Sequence, residues 1–530
     1  MRKSKSQAWA WILLAAVAIF TSAIRIRLLQ TPLERDEGEF GYMGQLILQG
    51  IPPYKIACNM KLPGTYAMYA LFLKIFGNSV AGIHLGLMVM NLISIVLVFL
   101  LAKRLLGPLG AVVASASFGL MSLSPSVLGT SAHATQYVLP FALGGILLML
   151  RAIDSGKAST LALSGLLLGT SFLMKQHAVF FLVFALLYYI WARARKMPIG
   201  RLAIHSGVFG LAMVIPYGLT CLILYKLGVF GEFWFWTYTY ARTYASEVGF
   251  KEGVKWFLKM VKDVMEHSSL LWALGGVGVI AIMLEKRARA NRVFLFGFVV
   301  FSFLTVCPGM YFRAHYFITF LPALALLIGA AVQYGTEAFR SLGPVRFIPA
   351  VLFLCLLGNF VSLERGFLFR MNPTDVSIMM YKSAEFPAME EVSRYVKAHT
   401  KPGDKILVFG SEPEIYFYAQ RHACTKFIYT YALVERHKYC SVMQRQMIRE
   451  IKASEPKYVA VIRVPTSWAF WPGCDRTLTD QGMRYFGRHY ELVGIAELIS
   501  KDRVLYFWDK EAKDYNPASQ SYVLVLRRRS

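Results

Sequence analysis

Eleven apolar stretches constrain this 530-residue chain more than any other feature of it. They lie near 8–29, 80–101, 108–128, 134–151, 159–174, 177–192, 202–227, 268–284, 293–309, 316–334 and 347–363. A bilayer core about 30 Å thick takes roughly 20 apolar helical residues per crossing. The pattern therefore predicts a multi-span α-helical membrane protein with about eleven transmembrane helices. Composition agrees, with 56% hydrophobic and 17% charged residues. That balance excludes a disordered chain, a disulfide-stapled secreted module and an ordinary soluble enzyme. The seven cysteines form no CxxC pair, which argues against a zinc scaffold or a redox motif.

The charges then set orientation. The first span runs from Arg2, Lys3 and Lys5 to Arg25 and Arg27 without a small-residue cleavage site, so it reads as an uncleaved anchor. With the N-terminus inside, alternate short loops carry Lys103–Arg104, Arg151/Lys157, Arg193/Arg195/Lys196/Arg201, Lys286/Arg287/Arg289/Arg292 and Arg340/Arg346. This is the positive-inside bias. It assigns a sizeable part of the +26 net charge, 57 basic against 31 acidic residues, to cytoplasmic loops rather than to nucleic-acid binding. An odd number of spans places residues 365–530 outside, together with 30–79, 129–133, the turn at Lys175, 228–267 and 310–315. The expected division is thus a transmembrane domain over 1–364, with a first external loop at 30–79, and an extracytoplasmic domain over 365–530.

That last domain changes character. It reads as helix (387–400), strand (Lys405–Phe409), helix, strand (near 424–429), helix (433–453) and strand (Lys457–Ile462). Further strands follow near 490–496, 503–508 and 521–527, so a compact α/β domain is expected. Gly410-Ser411-Glu412-Pro413 follows a strand but is no dinucleotide fingerprint, and no Walker motif occurs. A Cys424–Cys440 disulfide is open to an extracytoplasmic domain, with Cys474 left as an odd thiol. His422, Cys424, His437 and Cys440 lack the regular spacing of a zinc site.

The polar residues of interest all fall on the external face. Glu34-Arg35-Asp36-Glu37-Gly38-Glu39-Phe40 follows the first span directly, then an amphipathic stretch to Gly50, Ile51-Pro52-Pro53-Tyr54 and Lys61-Leu62-Pro63-Gly64-Thr65-Tyr66. A carboxylate partly desolvated at the membrane surface gains basicity and suits general-base chemistry; surface charges that merely solvate a loop are the commoner case. Lys175 ends a short span in Met174-Lys175-Gln176-His177, and Arg313 and His315 stand in Tyr311-Phe312-Arg313-Ala314-His315-Tyr316. Such cations either snorkel into headgroups or bind a phosphate. Trp234, Phe235, Trp236, Tyr238, Tyr240 and Tyr244 read first as an interfacial aromatic belt and second as a wall for a sugar or a prenyl chain.

The order of these motifs resembles one superfamily. Asp-Glu-Gly before an aromatic, about a dozen helical residues, Gly-x-Pro-Pro-Tyr and Lys-x-Pro-x-x-Tyr, followed by Lys175, the aromatic segment and His315-Tyr316, are similar to the C-type integral-membrane glycosyltransferases. The likeness is to the branch of dolichyl-phosphate-mannose–protein mannosyltransferases and the aminoarabinose transferase of lipid A. The resemblance implies an inverting hexosyl- or pentosyltransferase that moves a sugar from a polyprenyl-phosphate carrier to an acceptor hydroxyl outside the cytoplasm. It implies catalytic roles for Asp36 and Glu37, with Asp36 as base, and substrate binding by Arg35, Lys61, Lys175, Arg313 and His315. The implied partners are the polyprenyl-phosphate sugar donor, membrane lipid and an acceptor glycan, lipid or protein, with no nucleic acid. The implied location is a bacterial-type inner or plasma membrane.

Where the family often carries a second acid, this chain reads Ser131-Ala132-His133-Ala134-Thr135-Gln136, with Gln136 at the acidic position. No metal site is therefore assigned, and a divalent cation as cofactor stays open. The rival reading is a flippase or transporter of lipid-linked sugars without transferase activity. Against a transporter, the confident spans hold almost no ionisable residue near their middles.

Overall fold

The computed structural model describes residues 7–471 and 473–529, so the flanking Arg2, Lys3 and Lys5 lie outside the described residues. Every one of the eleven apolar stretches contains a helix, from Ala8–Arg27 to Ile348–Leu363. Length separates them. Among the described residues, six helices are long and apolar enough to cross a bilayer, or seven when Phe250–Met265 and Ser269–Leu284, bent by 106°, count as one span. Pro108–Met121, Ala158–Met174 and Arg292–Leu304 are apolar but shorter; fourteen residues at about 1.5 Å each reach only about 21 Å. At least six apolar spans are thus present, which makes the chain an integral membrane protein.

Helix Phe250–Met265 was not anticipated within the 228–267 stretch. Its basic residues Lys251, Lys255, Lys259 and Lys262 accompany an exposed apolar row of Phe250, Val254 and Leu258. Spacing of four residues sets that row on one helical face, the pattern of a helix lying in a bilayer interface.

The chain divides into two compact units, and the division departs from a cut at 364/365. One holds the segments up to Leu29, His84–Leu222 and Val248–Met371; the other holds Gln30–Ile83, Ile223–Glu247 and the chain from Asn372. The first external loop and the aromatic segment thus pack with the C-terminal domain.

In the first unit, Arg25 is buried and donates to the carbonyl oxygens of Gly129 (3.1 Å) and Ser122 (3.2 Å). Gln136 donates to the same Gly129 oxygen at 3.1 Å. Both side chains fix the turn at 129–133 rather than leaving its buried carbonyls unsatisfied.

The second unit is built on a six-stranded mixed sheet in the order β2-β1-β3-β6-β4-β5. The strands are β1 (Lys405–Phe409), β2 (His422–Ala423), β3 (Tyr458–Arg463), β4 (Tyr490–Leu498), β5 (Val504–Trp508) and β6 (Tyr522–Arg528). β1 runs parallel to β2 and β3; β6 runs antiparallel to β3 and β4, and β4 to β5. The strand expected near 424–429 is absent. There, Thr425 Oγ1 and Lys426 N donate to the Glu450 carboxylate, and the Lys426 carbonyl accepts from Cys58 N at 2.9 Å. Backbone groups satisfied by side chains and by the external loop have no need of a ladder. All seven cysteines are unpaired, so the Cys424–Cys440 bridge does not form.

The external loop enters this unit as helix Arg35–Leu48, packed on helix Glu414–Ala419. Glycines make the approach possible. A Cβ on Gly38 would lie 2.4 Å from Glu414 Cα, one on Gly41 2.8 Å from the Phe417 ring, and one on Gly44 3.0 Å from Ala70 N. Gly38 and Gly41 thus face helix Glu414–Ala419, whereas Gly44 faces helix Pro63–Phe76.

Candidate active site

Asp36 stands in the first turn of helix Arg35–Leu48, whose N-terminus is closed by a capping box. The Glu34 carboxylate accepts from Glu37 N at 2.9 Å, and the Glu37 carboxylate accepts from Glu34 N at 3.3 Å. Glu37 is buried, so its side chain fixes the helix start that aims Asp36. Asp36 itself is only partly covered. Its Oδ2 accepts from Lys61 Nζ at 3.0 Å and its Oδ1 from the Tyr429 hydroxyl at 3.3 Å. Burial and the neighbouring Asp36, Glu34 and Glu39 push the Tyr429 phenol well above its ordinary range, so it stays a donor. Lys61, expected to bind substrate, is paired here with the Asp36 carboxylate. Tyr429, 393 residues away in the chain, left no trace in the motif.

Arg35 is placed differently from its expected substrate-binding role. Its guanidinium pairs with Glu385 and with Glu412 (3.0 Å) and donates to Thr466 Oγ1 at 3.0 Å. Burial alone would lower its pKa, but the two carboxylates outweigh that and raise it further, so it stays charged. Arg35 therefore ties the helix that carries Asp36 to the C-terminal domain.

Glu39 lies one turn further along the same helix, fully buried. It accepts from the Tyr66 hydroxyl at 2.6 Å and from Asn59 Nδ2 at 2.5 Å. These bonds hold the 59–66 segment, and so Lys61, against the helix. Burial, with a smaller contribution from Asp36, raises its carboxyl to about 8 despite the opposing pull of Lys61 and the two hydrogen bonds. Its folded pKa thus exceeds the ordinary value of 4.5. Between the two values the folded state binds the extra proton, so this carboxyl makes stability fall as pH rises through that window. Melting temperature in detergent should drop more between pH 6 and 9 for the wild type than for Glu39→Gln. Equal drops would mean that Glu39 does not titrate there.

The aromatic segment contains the short helices Phe230–Trp234 and Ala241–Ala245, separated by a π-helical stretch, Phe235–Tyr240. Phe233, Trp236 and Tyr240 are buried, against Tyr54, Phe427 and His437 respectively, while Trp234 and Tyr238 are exposed. Only part of the segment therefore has the exposure of a lipid-facing belt.

In the first unit the structure gathers three turns, those at 129–133, Lys175 and 310–315. The rings of His133 and His315 stack with centroids 4.0 Å apart, and Lys175 Nζ lies 3.8 Å from the Tyr316 ring centroid. His177 meets the same tyrosine edge-on at 4.8 Å and its Nδ1 lies 3.0 Å from the Thr305 carbonyl oxygen. Arg313 lies over Tyr311 at 5.5 Å.

Residues 61–219 match the family model of dolichyl-phosphate-mannose-protein mannosyltransferase. ArnT from Cupriavidus metallidurans bound to undecaprenyl phosphate superposes with a TM-score of 0.58, covering 98% of both chains at 14% identity. The chain therefore shares the fold of ArnT. Archaeal oligosaccharyltransferase AglB from Archaeoglobus fulgidus, in complex with an inhibitory peptide and a dolichol-phosphate, superposes with a TM-score of 0.53 at 11% identity. That match covers 98% of this chain and 76% of AglB. No curated protein sequence matches the chain. The likeness thus runs, in sequence over 61–219 and in fold over nearly the whole chain, to the mannosyltransferase and ArnT-like branch.

Proposed function

We propose that the chain is an inverting glycosyltransferase. It would move a sugar from a polyprenyl-phosphate carrier to an acceptor hydroxyl on the extracytoplasmic side of the membrane. The observation that carries this reading is Asp36, partly exposed and set in a capped first turn between Lys61 and Tyr429. The family match over 61–219 and the carrier phosphates named for ArnT and AglB support it.

Asp36 takes the proton from the acceptor hydroxyl as that oxygen attacks the anomeric carbon. The bond from that carbon to the phosphate oxygen breaks, and polyprenyl phosphate leaves with the electron pair. A glycoside would need an acid to protonate its leaving alkoxide; a phosphate leaves as a stabilised anion, so one carboxylate suffices. Lys61 orients Asp36, with Glu37 fixing the turn beneath it. Lys175, Arg313 and His315 are the groups proposed to neutralise charge on the leaving phosphate.

Stereochemistry tests this reading. Given a β-linked polyprenyl-phosphate sugar, the purified protein should yield an α-linked product, read from anomeric coupling constants. A β-linked product would overturn the single displacement.

A further inference from the structure

A crevice of about 400 Å³ opens in the C-terminal domain, where β1 and β3 end. The order β2-β1-β3 reverses direction between β1 and β3, and ligands of open parallel sheets bind outside the carboxyl ends of the strands at such a reversal. The volume lies within the range of small-molecule sites, about 300–1,000 Å³. Helix Thr477–His489 forms one wall and packs tightly on the strands, since a Cβ on Gly482 would lie 2.6 Å from the Phe409 ring. The floor is apolar and fixed. Trp468 donates its Nε1–H to the Ile462 carbonyl at 3.0 Å and packs on Phe409 at 5.1 Å.

Above this floor the side chains form a layered stack. Phe470 lies parallel to Trp468, centroids 5.2 Å apart, and the Arg476 guanidinium covers Phe470 at 4.9 Å. Arg463, at the end of β3, lines the same crevice. Neither guanidinium forms an ion pair among the described residues, and Asp480 is the one acid on the rim. A guanidinium held on an aromatic face keeps its N–H edges for a carboxylate or phosphate. Free phosphate would leave the apolar floor uncovered, whereas a sugar ring lays its C–H face there.

The wall of the crevice is also bonded to the helix that carries Asp36. Helix Pro465–Trp468 supplies Thr466, which accepts from Arg35 at 3.0 Å and donates to Glu385 at 2.9 Å. Its neighbour Ser467 donates to Glu412 at 2.7 Å and accepts from Ser411 N at 2.9 Å. Arg35 immediately precedes Asp36 in the chain.

We propose that this crevice binds an anionic sugar residue of the acceptor, with Arg476 and Arg463 holding its carboxylate or phosphate and the Trp468 floor its ring. The acceptor role rests on the transferase reading; binding itself does not. Calorimetry on the full chain in detergent tests it with trigalacturonate, neutral galactotriose and inorganic phosphate. Trigalacturonate should bind saturably, the neutral trisaccharide at least about tenfold more weakly, and Arg476→Ala should lose about tenfold in affinity for the acid. Arg463→Ala should weaken binding in the same sense. Asp36→Asn should bind trigalacturonate as the wild type does, which separates failure of this site from failure of the transfer mechanism. The proposal is overturned if the wild type does not bind the acid or binds both trisaccharides alike. It is equally overturned if Arg476→Ala keeps full affinity, or if inorganic phosphate displaces the acid at equal concentration.

Discussion

Asp36→Asn is expected to abolish sugar transfer while leaving the fold intact. The amide keeps the size of the carboxylate and still accepts from Tyr429, but it cannot take a proton from an acceptor hydroxyl. Removing a positioned general base costs about 10²- to 10⁴-fold in rate, so kcat should fall by at least about a hundredfold. The lost ion pair with Lys61 is partly exposed on both sides, 24% and 20%, and such pairs contribute at most about 1 kcal/mol. The melting temperature should therefore hardly move. Transfer within tenfold of the wild type would remove Asp36 as the base.

Gly38→Ala is the second large effect, and it acts on stability. The added methyl would sit 2.4 Å from Glu414 Cα and 2.5 Å from Glu414 N. Backbone atoms cannot rotate away as a side-chain end can, so the two helices must separate. Overpacking of this kind costs about 1–3 kcal/mol and sometimes more, and here it also disturbs the seat of Asp36. We expect a clear fall in melting temperature together with reduced transfer. Gly231→Ala is the control, because a Cβ there meets nothing within 4 Å. If Gly38→Ala melts with the control, the close approach of these helices is not as described.

Much of the helical framework was legible because apolar runs form helices whatever their tertiary context. Crossing was less legible. The run 108–128 divides into helix Pro108–Met121 and a turn at Pro125–Val127, a break that its apolar residues do not announce. Helix Phe250–Met265 is hidden in the sequence because its four lysines interrupt any continuous apolar run. Gly38, Gly41 and Gly44 carried a readable signal in their spacing of three, overshadowed by the charges beside them. Strand β2 shrank to two residues because the next backbone groups found partners in Glu450 and in the external loop.

In the candidate site, local motifs pointed to Asp36 and Lys61, which the fold brings into direct contact. They also pointed to Arg35, whose partners Glu385 and Glu412 lie 350 and 377 residues away. That separation is why a motif could show the cation but not its engagement. Within the motif Glu39 carries no signal that separates it from Glu37. Burial, and not residue type, sets it apart, and burial is a property of the folded unit.

The most direct measurement follows both halves of the transfer in one reaction. Purified protein in detergent is offered a panel of polyprenyl-phosphate sugars with candidate acceptors, and released polyprenyl phosphate and glycosylated acceptor are quantified together. The transferase account predicts that the two products appear in equal amounts with the wild type and that neither appears with Asp36→Asn. Movement of intact lipid-linked sugar across vesicles containing the protein, with no polyprenyl phosphate released for any acceptor, would contradict it and establish a flippase instead.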